Sequence, residues 1–245
     1  MRRSSPAPFI LALLLIAPVL ASAQERAMPI LGEQLWSSIA IKGRPPKFFN
    51  DIIGKETRKK FQIGAEFGYR SADSFLAGRQ YYMDAGISYD VSKLLTIGVE
   101  QRYAYRPGNE DRTRTIVQAV LSGDVKRFKL NYRFRYQHNY RDYGEEREVF
   151  RNRFTVEHDF AKWKLDPFAG AEFFTWARPD GIMYIGTRYR LGTTWKLSKA
   201  HSIDLTILHD RERDVNWPAH NWVYSIDYSF NIAKVDRKKP VEPAP

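Results

Sequence analysis

From residue 61 to residue 232 the chain alternates apolar or aromatic residues with polar, charged or glycine residues, in runs of nine or more positions separated by turns. Phe128-Lys129-Leu130-Asn131-Tyr132-Arg133-Phe134-Arg135-Tyr136 is the clearest run. Successive side chains of a strand point to opposite faces, so a period of two makes two-faced strands. Runs of about ten residues match strands that cross a bilayer at a tilt. The pattern predicts strands at 61–70, 81–91, 95–106, 112–122, 127–139, 149–160, 164–176, 183–197, 202–211 and 222–232, with an eleventh at 34–42 before them. The expected fold is all-β, a transmembrane antiparallel up-and-down β-barrel of 10–12 strands at 61–232. Bacterial barrels are normally even-stranded. The segment 34–42 therefore lies outside the wall or has an unrecognised twelfth strand as companion.

The connections alternate in length. Short turns are expected at 90–94, 123–126, 161–163 and 198–201, and longer polar loops at 71–80, 107–111, 140–148, 177–182 and 212–221. Short periplasmic turns and longer external loops are the asymmetry of outer-membrane barrels. Residues 43–60 hold Pro45, Pro46 and a partly apolar stretch without strand alternation. With the strand before it, the region 24–60 reads as an N-terminal strand and a periplasmic linker or plug.

Alternation alone does not say which face is outside. Three features place the apolar face toward lipid. It is aromatic near strand ends, at Tyr103, Tyr105, Tyr136, Phe160, Trp195, Trp222 and Phe230, as an interfacial girdle requires. The opposite face carries Gly64, Gly68, Gly86, Gly98, Gly170, Gly186 and Gly192, which make room inside a narrow barrel. Its charges are Arg with Asp and Glu more than Lys, and Arg suits enclosed, hydrogen-bonded pairs. Gln101, Asn152, His158 and His209 break the pattern on the lipid side, and Ile116 and Val120 break it inside.

The start of the chain reads as an export signal. Arg2 and Arg3 precede an apolar run from Phe9 to Leu20, and Ala21-Ser22-Ala23 is a small-x-small cleavage site. The signal peptide is expected at 1–23, and removal of its two arginines takes the net charge from +11 to +9. The end, 233–245, with four basic residues, two acidic residues and three prolines, reads as a disordered periplasmic tail. Mean hydropathy is −0.50, which suits a barrel in which only every second residue is apolar. There is no cysteine, so disulfides and thiol chemistry are excluded. The basic residues are spread over many strands, and with export this argues against nucleic acid as a partner.

Folding each antiparallel hairpin about its turn gives a trial register, with slips of two residues open. It sets Asp84 opposite Arg102, Arg133 opposite Arg153, Arg135 opposite Arg151, Arg153 opposite Glu172, Glu172 opposite Arg188, and Glu157 opposite Phe168. It also sets Lys196 opposite Asp204, Arg190 opposite Asp210 and Arg188 opposite Glu212. The expectation is a lumenal charge network with Arg133, Arg153, Glu172 and Arg188 in one rung. An arc of Arg114, Arg135 and Arg151 is left needing acids from loops, water or a bound anion. Two functions fit: charges that brace the barrel, or a lumen that attracts a small anion or solute. A narrow barrel filled with long side chains is expected to be occluded.

No catalytic constellation stands out. His201-Ser202 lies in a short turn, and His158-Asp159 and His209-Asp210 are adjacent pairs whose neighbours along a strand point to opposite faces. The five histidines are too scattered for a metal site. The expectation is a protein that is not an enzyme and needs no cofactor or metal. A lipid-modifying outer-membrane enzyme and a secreted soluble β-barrel around an apolar ligand are the alternatives.

Gln34-Leu35-Trp36, Glu100-Gln101-Arg102-Tyr103, Tyr132-Arg133-Phe134-Arg135-Tyr136, Arg151-Asn152-Arg153-Phe154 and Arg188-Tyr189-Arg190-Leu191-Gly192 follow one another in an order and spacing that resembles the DUF2490 family. These are exported bacterial β-barrel proteins of unknown function, and the resemblance covers about residues 34–232. It implies an outer-membrane barrel and supplies no activity or functional residues. With the export signal and the alternation, the expectation is a Gram-negative outer-membrane location, with outer-membrane lipid and the barrel assembly machinery as partners. Tyr224-Ser225-Ile226-Asp227-Tyr228-Ser229-Phe230 looks like a terminal insertion signal, although a tail follows it.

Overall fold

The computed structural model describes residues 28–72, 75–140, 147–160, 163–213, 215 and 218–235. The expected signal segment 1–23 and residues 236–245 of the expected tail lie outside the described residues. Eleven strands form one closed barrel: β1 (Ile30–Gly43), β2 (Phe61–Ser71), β3 (Gly78–Asp90), β4 (Leu95–Tyr105), β5 (Arg112–Val125), β6 (Phe128–Tyr140), β7 (Arg147–His158), β8 (Leu165–Arg178), β9 (Gly181–Lys196), β10 (His201–Glu212) and β11 (Ala219–Asn231).

Each strand pairs with its chain neighbour in antiparallel fashion, and the ring closes through β1 and β11, which run parallel from Ile30↔Ala219 to Lys42↔Asn231. This settles the odd strand count. β1 belongs to the wall, no twelfth strand is needed, and the barrel begins at Ile30 rather than at residue 61. Ser38 Oγ donates to Asp227 Oδ1 across the seam at 2.7 Å, and Ser225 Oγ donates to Asp227 Oδ2 at 2.7 Å. An odd count also sends the two ends of the wall to opposite rims. Ile30 sits at the rim of the longer loops, and Asn231 at the rim of the short turns.

Between β1 and β2 the chain forms a short 3₁₀ turn at Lys47–Phe49, α1 (Asn50–Ile53) and α2 (Lys55–Lys60). Arg58 holds this corner together, donating from Nε to Asn50 Oδ1 at 2.6 Å and from Nη1 to the Pro45 carbonyl at 2.7 Å. None of residues 44–60 lines the lumen. The region is a helical connection at the short-turn rim.

One expected loop is absent. The span 177–182 is a tight hairpin in which Arg178 pairs with Gly181, leaving only Pro179 and Asp180 between the strands. Gly181 takes φ 129°, a value open to glycine, and Arg178 Nε meets Asp180 Oδ1 at 3.0 Å. A bulge between Phe174 and Thr175 takes up the extra length on β9.

The outer face is apolar. On β3 it reads Tyr81, Met83, Ala85, Ile87, Tyr89, and the inner face reads Gln80, Tyr82, Asp84, Gly86, Ser88. Rings gather in two belts. Tyr69, Tyr81 and Tyr105 stand in one row toward the loop rim, and His209 stacks on Trp222 at 4.5 Å near the same rim. At the other rim, Phe61 meets Tyr89 at 4.8 Å, Phe128 meets His158 at 4.8 Å and His201 stacks on Phe230 at 4.6 Å. Tyr81 and Tyr89 are eight residues apart, about 27 Å along the strand, or about 20 Å along the axis of a barrel with strands tilted by about 40°.

Two polar residues on this face have partners that the sequence did not reveal. Asn152 Oδ1 accepts from the Tyr132 hydroxyl at 2.7 Å, and Gln101 Oε1 accepts from Thr115 Oγ1 at 2.6 Å.

Candidate functional site: a charged lumen closed at one end

The lumen is built from the alternate residues of every strand, and its centre is a rung of five. Arg133 (β6), Arg153 (β7), Glu172 (β8), Arg188 (β9) and Asp210 (β10) stand in direct register. Glu172 is 1% exposed. Its Oε1 accepts from Arg133 Nη2 and from Arg151 Nη2, each at 3.0 Å, and its Oε2 lies 3.8 Å from Arg188 Nη1. Arg188 Nη2 also reaches Asp210 Oδ2 at 2.5 Å. One carboxylate thus gathers three arginines from three strands, and buried charges are tolerated only when paired in this way.

The arc of Arg114, Arg135 and Arg151 finds its partners inside the wall. Arg135 donates from Nε to Gln118 Oε1 at 2.8 Å and from Nη2 to Glu100 Oε1 at 3.2 Å. Arg151 uses Glu172, and Arg114 Nε donates to Asn139 Oδ1 at 2.6 Å. Asp84 binds Arg102 with both oxygens, through Nε at 2.6 Å and through Nη2.

The register of the β9–β10 hairpin differs by two residues from the expectation. Lys196 faces Ser202, Arg188 faces Asp210, Arg190 faces Leu208, and Glu212 faces Gly186. Asp204 faces Thr194 on β9 and Asp227 on β11. The turn causes the slip: Ser198 Oγ accepts from the backbone N–H of Ala200 at 3.1 Å and of His201 at 3.2 Å, which tightens the reversal. Lys196 pairs instead with Asp166. Glu157 does face Phe168, and it lies 4.0 Å from Lys129 near the short-turn rim.

Four residues of the site escaped the sequence reading: Trp36, Arg70, Tyr82 and Glu100. The first three belong to a stacked layer that crosses the lumen. The Arg102 guanidinium lies over Tyr82 at 4.0 Å, Arg70 lies over Tyr82 at 5.2 Å and over Trp36 at 4.1 Å, and Arg188 lies over Trp36 at 4.9 Å. Phe174 continues it, with Arg188 at 5.0 Å and Arg151 at 4.9 Å. Cations over aromatic faces are attracted by the ring quadrupole. The step from Trp36 on β1 to Arg188 on β9 passes over β10 and β11, so the layer bridges the barrel instead of following its wall. Glu100 serves Arg135 from two strands away, through Gln118, and no single hairpin shows that.

Toward the loop rim the lumen is packed. Val223, Ile116, Ala104 and Val149 are buried there among Gln34, Gln137, Asn139 and Ser71. Toward the short-turn rim it is hollow. A cavity of about 690 Å³ runs from the stacked layer down to Lys42, Gln62, Ser88 and Ser229. Ten basic and seven acidic side chains line it. All five histidines lie on the outer face, and among the described residues no group of three or more His, Asp or Glu converges as a metal site.

No curated protein and no solved structure matches the chain. A family model described as a protein of unknown function, DUF2490, matches residues 33–219, from β1 to the first residue of β11. That match spans most of the barrel wall, and the chain belongs to the DUF2490 family.

Proposed function

We propose that this protein is an integral outer-membrane β-barrel of a Gram-negative bacterium, exported by its signal segment, whose lumen is a blind vestibule that receives a small solute from the periplasm. The observation that carries this reading is the inversion of polarity. Ile39, Phe67, Met83, Ile87, Val99, Leu191 and Ile226 are exposed on the outside, while Glu172, Asp84 and Arg102 are buried within. Water tolerates single exposed apolar residues but not a continuous apolar belt, whereas hydrocarbon requires one. The two aromatic belts support the same environment.

The lengths of most connections support an orientation with the short-turn rim in the periplasm. The hollow half of the lumen opens there, and the packed half faces outward. This supports holding over passage. Outward rings at Trp222, Tyr224, Tyr228 and Phe230 on the last strand support recognition by the barrel assembly machinery. The charged lumen argues against a soluble barrel around an apolar ligand. The outward position of every histidine supports a role other than acid–base catalysis on a lumenal substrate.

Fractionation combined with heat-modifiable gel migration tests the membrane reading. The folded protein is expected in the outer-membrane fraction, extracted only by detergent, and silent as a conductor in planar bilayers. A detergent-free monodisperse protein overturns the location, and steady conductance overturns the blind vestibule.

A further inference from the structure

Glu172 leaves two neighbouring arginines without a close contact. Its Oε1 accepts from Arg133 and Arg151, and its Oε2 lies 3.8 Å from Arg188. Arg153 stands in register with Glu172, yet among the described residues no carboxylate lies within 4.0 Å of its guanidinium or of that of Arg190. Both arginines line the cavity. They lie to either side of Gly170, which is paired with Arg190 on β9 and with Thr155 on β7, and the Thr155 hydroxyl stands 3.1 Å from where a β-carbon on Gly170 would be. Arg190 Nε is buried without a hydrogen-bond partner. The ring nearest to it, Phe168, is 5.9 Å from its guanidinium. On the facing wall Asp227 is held by Ser38 and Ser225, and Asp204 stands opposite Thr194 and Asp227, four residues along β10 from Leu208, the register partner of Arg190.

Two guanidiniums side by side repel, and an unpaired buried donor is costly. Both costs vanish when an anion sits between the forks. Guanidinium is the side chain whose planar pair of donors matches two oxygens of a phosphate or carboxylate. We infer that Arg153 and Arg190, over Gly170 and beside the Thr155 hydroxyl, form a binding site for the oxoanion group of a small solute that enters from the short-turn rim. The inference rests on the vestibule reading and adds the residues and the ligand chemistry. The excess of basic over acidic side chains along the cavity draws such a solute inward.

The test uses the folded full-length barrel in a non-ionic detergent, titrated by calorimetry with inorganic phosphate and, separately, with succinate at fixed chloride. Heat-modifiable migration confirms that each variant is folded. Saturable binding of one of the two is expected, and the preferred one identifies a phosphoryl or a carboxylate ligand. Arg153→Gln and Arg190→Gln weaken it by at least tenfold, Arg153→Lys by less, and Arg178→Gln at the opposite rim leaves it unchanged. A folded wild-type barrel that binds neither anion, or variants that bind as well as wild type, overturns the site while leaving the outer-membrane reading intact. Loss of the membrane location is detected separately, by extraction without detergent.

Discussion

The ring of Tyr82 lies across Gly68, its partner in the β2–β3 ladder, and fills the space that a β-carbon on Gly68 would occupy. That position sets the Tyr82 hydroxyl against Glu66 Oε1 at 2.7 Å and the ring face under Arg102 and Arg70. The stacked layer across the lumen therefore depends on one missing side chain. Gly68→Ala is expected to lower stability by about 1–3 kcal/mol, the usual cost of overpacking. Urea unfolding in detergent, followed by tryptophan fluorescence, measures it. In a Tyr82→Ala background the same substitution should cost much less, because the clash is gone. Equal costs in both backgrounds would disprove the dependence.

Glu172 is the only acid that touches Arg133 and Arg151 among the described ion pairs. Glu172→Gln strands those two cations in the lumen, and removal of one partner from a buried ion pair costs about 3–5 kcal/mol. Arg133→Gln should cost less, since Glu172 keeps Arg151 and Arg188. The order of the two urea midpoints is the decisive measurement.

The parallel seam predicts a cross-link. Ser37 and Ile226 are register partners on the outer face of β1 and β11, whereas Phe230 is four residues further along. The chain has no cysteine, so introduced pairs report cleanly. Oxidation should join Ser37→Cys to Ile226→Cys and leave Ser37→Cys with Phe230→Cys unjoined, because about 13 Å separates four strand residues and a disulfide spans about 6 Å between α-carbons. Non-reducing gel mobility distinguishes them.

What the sequence made legible follows from what a period of two encodes. The face of each lumenal glycine and arginine was legible because parity is local. Six members of the charged network, Arg133, Arg153, Glu172, Arg188 and the Asp84–Arg102 pair, could be aligned because their hairpins fold symmetrically about the turns. The β9–β10 pairing was not legible, because parity cannot separate registers two residues apart and the hydrogen bonds to Ser198 decide between them. The place of β1 was hidden for another reason. Its partners on β11 are 189 residues away, as in Ser38↔Asp227, and closure of a ring leaves no local trace. With β1 unplaced, Trp36 and the layer built on it were out of reach.

A loop carboxylate predicts a pH effect. Asp111 accepts from the Tyr103 hydroxyl at 2.5 Å and from the Arg106 backbone N–H at 3.0 Å. Both donors favour the charged form, the tyrosine first, and hold its pKa below the ordinary 3.8. A depressed carboxyl stabilises the fold above its unfolded pKa, and that contribution is lost as pH falls through the folded value. The order of the loop at 106–111 should therefore persist at mildly acid pH and fail only below the ordinary carboxylate range. Side-chain carboxyl NMR measures the titration, and Tyr103→Phe should move it upward.

The proposed blind vestibule predicts one-sided chemistry. Ser88 and Ser229 line the cavity near the short-turn rim, whereas Ala104 is 2% exposed and Val223 0% exposed in the packed half. Cysteines placed at Ser88 and Ser229 in the otherwise cysteine-free chain should react with small charged thiosulfonates, and cysteines at Ala104 and Val223 should not. In oriented proteoliposomes the reaction should occur only from the side of the short turns. Thr155→Cys carries the sharper test, because Thr155 lines the same cavity two residues from Arg153, where basic side chains outnumber acidic ones. A lumen of positive potential concentrates anions and repels cations. An anionic thiosulfonate should therefore label that cysteine faster than a cationic one of equal size, by roughly tenfold at low salt, with the gap closing as salt screens the field. Equal rates at low salt would show that the arginines are fully neutralised by the acids around them, and the lumen would then be a brace without an attraction for anions.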